Sequence, residues 1–272
     1  MTNKHFDDYM KNGFETRGRY AHELKRRIVL FGDSTIDNGN YLPPNARNVD
    51  TLNQMRRCVG YEGVPATSDE SIIVSHAVDG SVIKDVMHSI GVHAGEPGIH
   101  ERDLFISAGG NDLLRAAGGL TAEMFISHYK NPGNSELLKY IDYVLNVFRV
   151  DYEDMLRAAL VTSPHVTLAN IYDIAPNASI RNSIARWSIN DDFIPDHVVA
   201  RANEIIADLA MKRDLLLVDL NTLARKEASH FYANDIEPSM TGGQAIAVRY
   251  LADMFRKYFE IAELEKLWNS GK

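Results

Sequence analysis

The segment Gly32-Asp33-Ser34-Thr35-Ile36-Asp37-Asn38-Gly39-Asn40 directly follows the apolar run Ile28-Val29-Leu30-Phe31. A serine set by a glycine at the end of a buried strand, leading into a turn, is presented toward the crevice, as a nucleophile must be. Asp33 and Ser34 can equally bond to local backbone and simply end a strand. Two more polar clusters follow similar runs. Ser75-His76-Ala77-Val78-Asp79-Gly80 comes after Ile72-Ile73-Val74, and Gly80 there suits a strand-to-helix turn before a helix that starts near Ser81. Ser107-Ala108-Gly109-Gly110-Asn111-Asp112 comes after Leu104-Phe105-Ile106, where Asn111 can cap the next helix and Asp112 reads as a first-turn acid.

These loops owe their position to the elements around them. Short apolar runs at 28–31, 72–74, 104–106, 166–169 and 215–218 are rich in branched residues and end in turn chemistry, the pattern of strands buried on both faces. Helical spacing separates them. Leu137, Leu138, Ile141, Val144, Leu145 and Phe148 share one face, as do Val198, Ala202, Ile205, Ile206 and Leu209. From about Gly243, Ala247, Tyr250, Leu251, Met254, Phe255 and Tyr258 form an apolar stripe at core spacing. Alternation of strands and helices implies βαβ units and a parallel sheet in one α/β domain. Such sheets bind ligands beyond the carboxyl ends of their strands, where the polar loops fall.

Composition narrows the function. The chain has 272 residues, 45% hydrophobic and 24% charged, ample for a packed core. Twenty-nine Lys and Arg against 37 Asp and Glu leave a net charge of −8, without the basic footprint of a nucleic-acid binder. Residues 1–27 form a charged extension lacking the apolar stretch of a secretory signal, and no later run reaches the roughly 20 apolar residues of a membrane span, so a cytoplasmic location is expected. Cys58 is the only cysteine. No dinucleotide fingerprint or phosphate loop occurs, and His22-Glu23 meets Arg26 where a zinc-protease motif needs histidine, so neither cofactor nor metal is expected.

The sequence from Phe31 to Asn40 resembles the opening block of the GDSL esterase and lipase family, the SGNH hydrolases: Gly-Asp-Ser followed by Asp-x-Gly-Asn. Thr35 stands where the family has leucine. Gly80 matches the family's second block, and Gly109-Gly110-Asn111-Asp112 reproduces its Gly-x-Asn-Asp. The resemblance implies a three-layer α/β/α, flavodoxin-like fold with a five-stranded parallel sheet, spanning residues 1–272 as a single domain. It implies Ser34 as nucleophile, with the Ser34 and Gly80 N–H groups and the Asn111 amide holding the oxyanion. An uncharged donor such as Asn111 is worth about 3–4 kcal/mol to a developing alkoxide. The substrate implied is a small-molecule ester or acyl compound.

The C-terminal block departs from the family, which has Asp-x-x-His-Pro before the last helix. This chain reads Asn234-Asp235-Ile236-Glu237-Pro238, so Glu237 takes the histidine's place and Asn234 the aspartate's. A glutamate is about two pKa units less basic than histidine, a gap that burial narrows. Asn234 removes the anion that would compete for a proton, and its amide can donate to Glu237. His230 is the nearest histidine in sequence that could serve as a displaced base. Three functional readings stay open: a serine esterase built on Ser34 and Glu237, an acyltransferase, and a catalytically impaired binding protein with the same fold. Residues 41–69, with Arg56 and Arg57, and residues 176–196, with Trp187, are expected at the rim of the crevice, the arginines either reading an anion or simply solvated. Oligomeric state is left open.

Overall fold

A computed structural model describes residues 28–46, 49–58, 73–176, 178 and 195–270. The charged extension at 1–27, the stretch 59–72 and the segment holding Trp187 lie outside them.

Five parallel strands form the sheet: β1 (Ile28–Gly32), β2 (Ile73–Ser75), β3 (Asp103–Ser107), β4 (Val166–Ala169) and β5 (Leu216–Val218). Their order is β2-β1-β3-β4-β5, the flavodoxin-like arrangement. All five runs expected from the sequence are strands. The helices are α1 (Thr51–Cys58), α2 (Ile83–His93), α3 (Gly110–Ala117), α4 (Ala122–Lys130), α5 (Glu136–Thr162), α6 (Ala200–Met211), α7 (Leu220–Lys226), α8 (Ala228–Phe231) and α9 (Met240–Ser270). A π-helical turn, Pro195–Val199, leads into α6.

The period of two along each strand divides the core between the two faces of the sheet. Val29, Phe31, Leu104, Ile106, Val166 and Leu168 pack against α2, α5 and α6. Ile28, Leu30, Phe105, Ala169 and Val218 pack against α7 and α9, with Met55 of α1. The apolar stripe of α5 continues past Phe148 through Tyr152, Met155, Leu156 and Ala159, which is why the helix reaches Thr162. In α9, Ala247, Tyr250, Leu251 and Met254 are buried as the stripe requires. The side chains of Phe255 and Tyr258 are outside the described set.

Caps mark the helix starts. Ser135 Oγ accepts from Leu138 N at the head of α5, Thr121 Oγ1 from Met124 N at α4, and Asp219 Oδ1 from Thr222 N at α7. Helix α2 begins at Ile83, two residues later than expected, and its first N–H donates to Asp112 Oδ2 at 3.0 Å. Asp112 is thus structural through a neighbouring helix as well as its own. Among the described residues no helix is long and apolar enough to cross a membrane.

Candidate active site

The loops after β1, β3 and β4 and the turn before α9 meet in one cleft at the carboxyl edge of the sheet. Ser34, Asn111 and Glu237 line it together with Asp33, Thr35 and Tyr172. Ser34 Oγ donates to Glu237 Oε1 at 3.0 Å across 203 positions of sequence. Both groups are buried, Ser34 at 6% exposure and Glu237 at 4%.

Glu237 is presented by a tight turn. Tyr232 and Pro238 form an antiparallel bridge, Ala233 N donates to Glu237 O, and Ser239 N donates to Phe231 O. Asn234 Oδ1 accepts from Ile236 N at 2.9 Å and from Glu237 N at 2.8 Å, an Asx turn that closes the loop. The geometry therefore differs from the donation expected of Asn234. Its side chain is exposed and holds the backbone of Glu237, with no amide bond to the Glu237 carboxyl. His230 is likewise exposed, and its carbonyl accepts from Ser239 Oγ; Ser34 has Glu237 as its partner instead.

Asn38, within the opening block, ties the two halves of the site. It is fully buried; its amide donates to Pro238 O at 3.0 Å, and its Oδ1 accepts from Thr51 N and Thr51 Oγ1. The sequence offered its position in the block but no sign of this partner.

Burial pushes the Glu237 carboxyl up to about 7. The Ser34 hydroxyl bond opposes that rise, and the Asp33 and Asp79 carboxylates add to it. Asn234 does remove one anion, but these two acids raise the Glu237 carboxyl in its stead. Burial also pushes Asp33 up to about 6 against the bonds it accepts from the Thr35 hydroxyl and amide. Glu237 Oε2 is buried and makes no hydrogen bond among the described residues. Tyr172 is held far above its ordinary value, first by burial and then by the Glu237 and Asp33 carboxylates.

Asn111 Nδ2 donates to Ser81 O at 3.0 Å, leaving its second amide hydrogen to point elsewhere. Gly80 lies just outside the cleft, in an adjoining groove with Asp79 and Ser81. Its φ of +79° is the left-handed conformation that glycine adopts without strain. The N–H groups of Ser34 and Gly80 donate to nothing among the described residues. The loop carrying Gly80 is fixed to the β1 loop: Val78 N donates to Gly32 O, and Asp79 N donates to Asp37 Oδ2. Tyr41 Oη donates to the Asp79 carboxylate at 2.9 Å, in the loop that carries Gly80. Arg56 is buried and donates to Ile73 O at 3.0 Å.

Away from Ser34 the cleft turns apolar, between Leu113, Leu120, Ile141, Val144, Ile171 and Val199. The arrangement can activate a hydroxyl against a carboxyl, collect N–H donors near it, and seat an apolar group alongside.

No protein-family model matches the sequence, and no curated protein is significantly similar to it. Solved structures are similar in fold. A member of the lipolytic protein G-D-S-L family from Veillonella parvula superposes with a TM-score of 0.52 at 17% identity, over 84% of this chain and 97% of that one. A lipase/acylhydrolase from Enterococcus faecalis gives 0.51 at 16% identity, over 84% and 95%. A psychrotrophic esterase from Pseudoalteromonas, in a structure inhibited by monoethylphosphonate, gives 0.53 at 9% identity, over 87% and 100%. The chain has the α/β fold of the lipolytic G-D-S-L esterases and lipases.

Proposed function

We propose that the protein is an ester hydrolase of the SGNH type in which Ser34 is the nucleophile and Glu237 its general base. The observation that carries this reading is the 3.0 Å hydrogen bond from Ser34 Oγ to a buried carboxyl inside a cleft. Glu237 takes the hydroxyl proton as Ser34 Oγ attacks the acyl carbon. The developing oxyanion is met by the Ser34 and Gly80 N–H groups and the Asn111 amide. Glu237 then returns the proton to the departing alkoxide, leaving an acyl-serine, and in the second half it draws a proton from the water that releases the acid. A carboxyl held near 7 is close to the operating pH of a general base, which imidazole meets unaided. The ester-acting proteins of the same fold support this substrate class, and the apolar part of the cleft suits the acyl group.

A second reading is favoured by one feature: a carboxyl near 7 is partly protonated at neutral pH and then cannot accept the serine proton. On that reading the cleft binds an acyl compound and turns it over slowly or not at all. The test is hydrolysis of a short-chain aryl ester by the parent, Ser34→Ala and Glu237→Gln. The esterase reading expects each substitution to lower kcat by roughly 100-fold or more with little change in KM. Parent turnover no faster than Ser34→Ala would sink it. Adding an alcohol and analysing products separates transfer from hydrolysis, since an acyl-serine yields either.

A further inference from the structure

The β2–α2 unit closes on itself through a second group of polar side chains, none of which lines the Ser34 cleft. His76 follows β2, His93 is the last residue of α2, and Glu96 comes three positions later. One ligand-type atom from each lies within 4.8 Å of the other two. Glu96 Oε1 is 2.6 Å from His93 Nδ1 and 3.6 Å from His76 Nε2. These separations bracket the edge of about 3.3 Å between donors bound at about 2.0–2.1 Å around a tetrahedral zinc ion. His76 Nε2 is buried and makes no hydrogen bond among the described residues, a costly state for a ring nitrogen unless something else occupies its lone pair. Glu96 Oε2 accepts from Arg102 Nη1 at 3.0 Å, and Arg102 Nη2 donates to Pro97 O at 2.9 Å. The guanidinium thus holds the carboxylate from behind and leaves Oε1 facing the imidazoles, the support that outer groups give to carboxylate ligands.

We propose that His76, His93 and Glu96 form a site for a divalent transition-metal ion of the zinc class, with water completing the shell. Two imidazoles and one carboxylate suit that class, whereas calcium and magnesium favour shells built of oxygen. The rings of His76 and His93 stack, with centroids 3.5 Å apart and planes 14° from parallel. Binding turns His93 out of the stack, so that both in-plane lone pairs converge, and replaces its hydrogen bond to Glu96. The Arg102 charge offsets that of Glu96, which weakens the site relative to a structural zinc finger. The side chains of Glu96 and His93 are 32% and 28% exposed, leaving a path for the ion from solvent. The bound ion joins the end of β2 to the end of α2, the unit that carries Gly80; both histidines and Gly80 line one groove. The donors are spread from position 76 to position 96 in no familiar motif, so the sequence does not announce them.

The test takes the full chain without an affinity tag, strips it with a chelator, and titrates it with zinc chloride by calorimetry and with cobalt chloride by visible absorption. One equivalent is expected, with the absorption bands of four-coordinate cobalt and a raised melting temperature. His76→Asn, His93→Ala and Glu96→Gln each weaken binding by at least about tenfold, while His88→Ala in the same groove leaves it unchanged. Absence of saturable binding by the parent, or His76→Asn and His93→Ala binding as tightly as the parent, overturns the proposal. The titration does not read hydrolysis, so its failure leaves the Ser34–Glu237 reading standing, and the reverse holds too.

Discussion

At the scale of residues, the issue is how a carboxyl could do an imidazole's work. Burial raises Glu237 to about 7, and the Asp33 and Asp79 carboxylates push the same way. Because the basic form is the carboxylate, kcat/KM for an aryl ester is expected to rise with pH through about 7 and level off above it. An ordinary glutamate would level off near pH 5.5, about one unit above its usual value. A profile measured from about pH 5 to about pH 9 that is flat above about 5.5 would show that no carboxyl raised to about 7 limits the reaction. Restoring the family pair gives a second prediction. Asn234→Asp keeps an acceptor for the Ile236 and Glu237 N–H groups and leaves a second oxygen free to orient an imidazole. Asn234→Asp with Glu237→His is therefore expected to raise kcat by about 10-fold or more, read on the same ester. Both residues drew attention in the sequence because they stand where the resemblance places the histidine and aspartate of its C-terminal block. That Asn234 serves the backbone instead of the carboxyl was not, since Asx turns and side-chain pairing use the same residue types.

At the scale of elements, the cleft depends on loops that hold one another. Asn38 joins the β1 loop to the turn before α9, and both ends of its side chain are engaged inside the protein. Asn38→Ala leaves the Pro238 carbonyl and the Thr51 N–H without those partners, at a cost of about 1–3 kcal/mol. It is expected to lower both the melting temperature and kcat, the latter because Glu237 neighbours Pro238; unchanged kcat in a destabilised variant would mean that the base is positioned without it. Helix and strand placement was readable from apolar period and turn chemistry. The late start of α2 was not, because its first N–H is capped by Asp112 from a different helix. Likewise the Asp33 and Asp79 carboxylates act on Glu237 only through the fold, so the loss of one anion at Asn234 was legible in the sequence and the presence of two others was not.

Taken as a whole, the molecule is a sheet with two apolar faces, and both faces must close for the loops at its edge to meet. Phe105 sits on the α9 side, fully buried, with its ring 4.1 Å from that of Tyr250. Phe105→Ala is expected to cost about 3–5 kcal/mol and to lower the melting temperature by on the order of 10 °C, measured by calorimetry as one transition. Two separated transitions would mean that the faces melt independently. The turn bearing Glu237 adds a different lesson. A Cβ at Gly242 would come within 2.2 Å of the Phe231 carbonyl oxygen, so the start of α9 lies flush against the end of α8. Together with the bridge between Tyr232 and Pro238 and the Asn234 side chain, this closes the turn without calling on the side chain at 237. On the esterase reading proposed above, such a turn works as a socket: a proton carrier is held opposite the serine by bonds that its own side chain does not make, so a lineage could exchange that carrier while keeping its architecture.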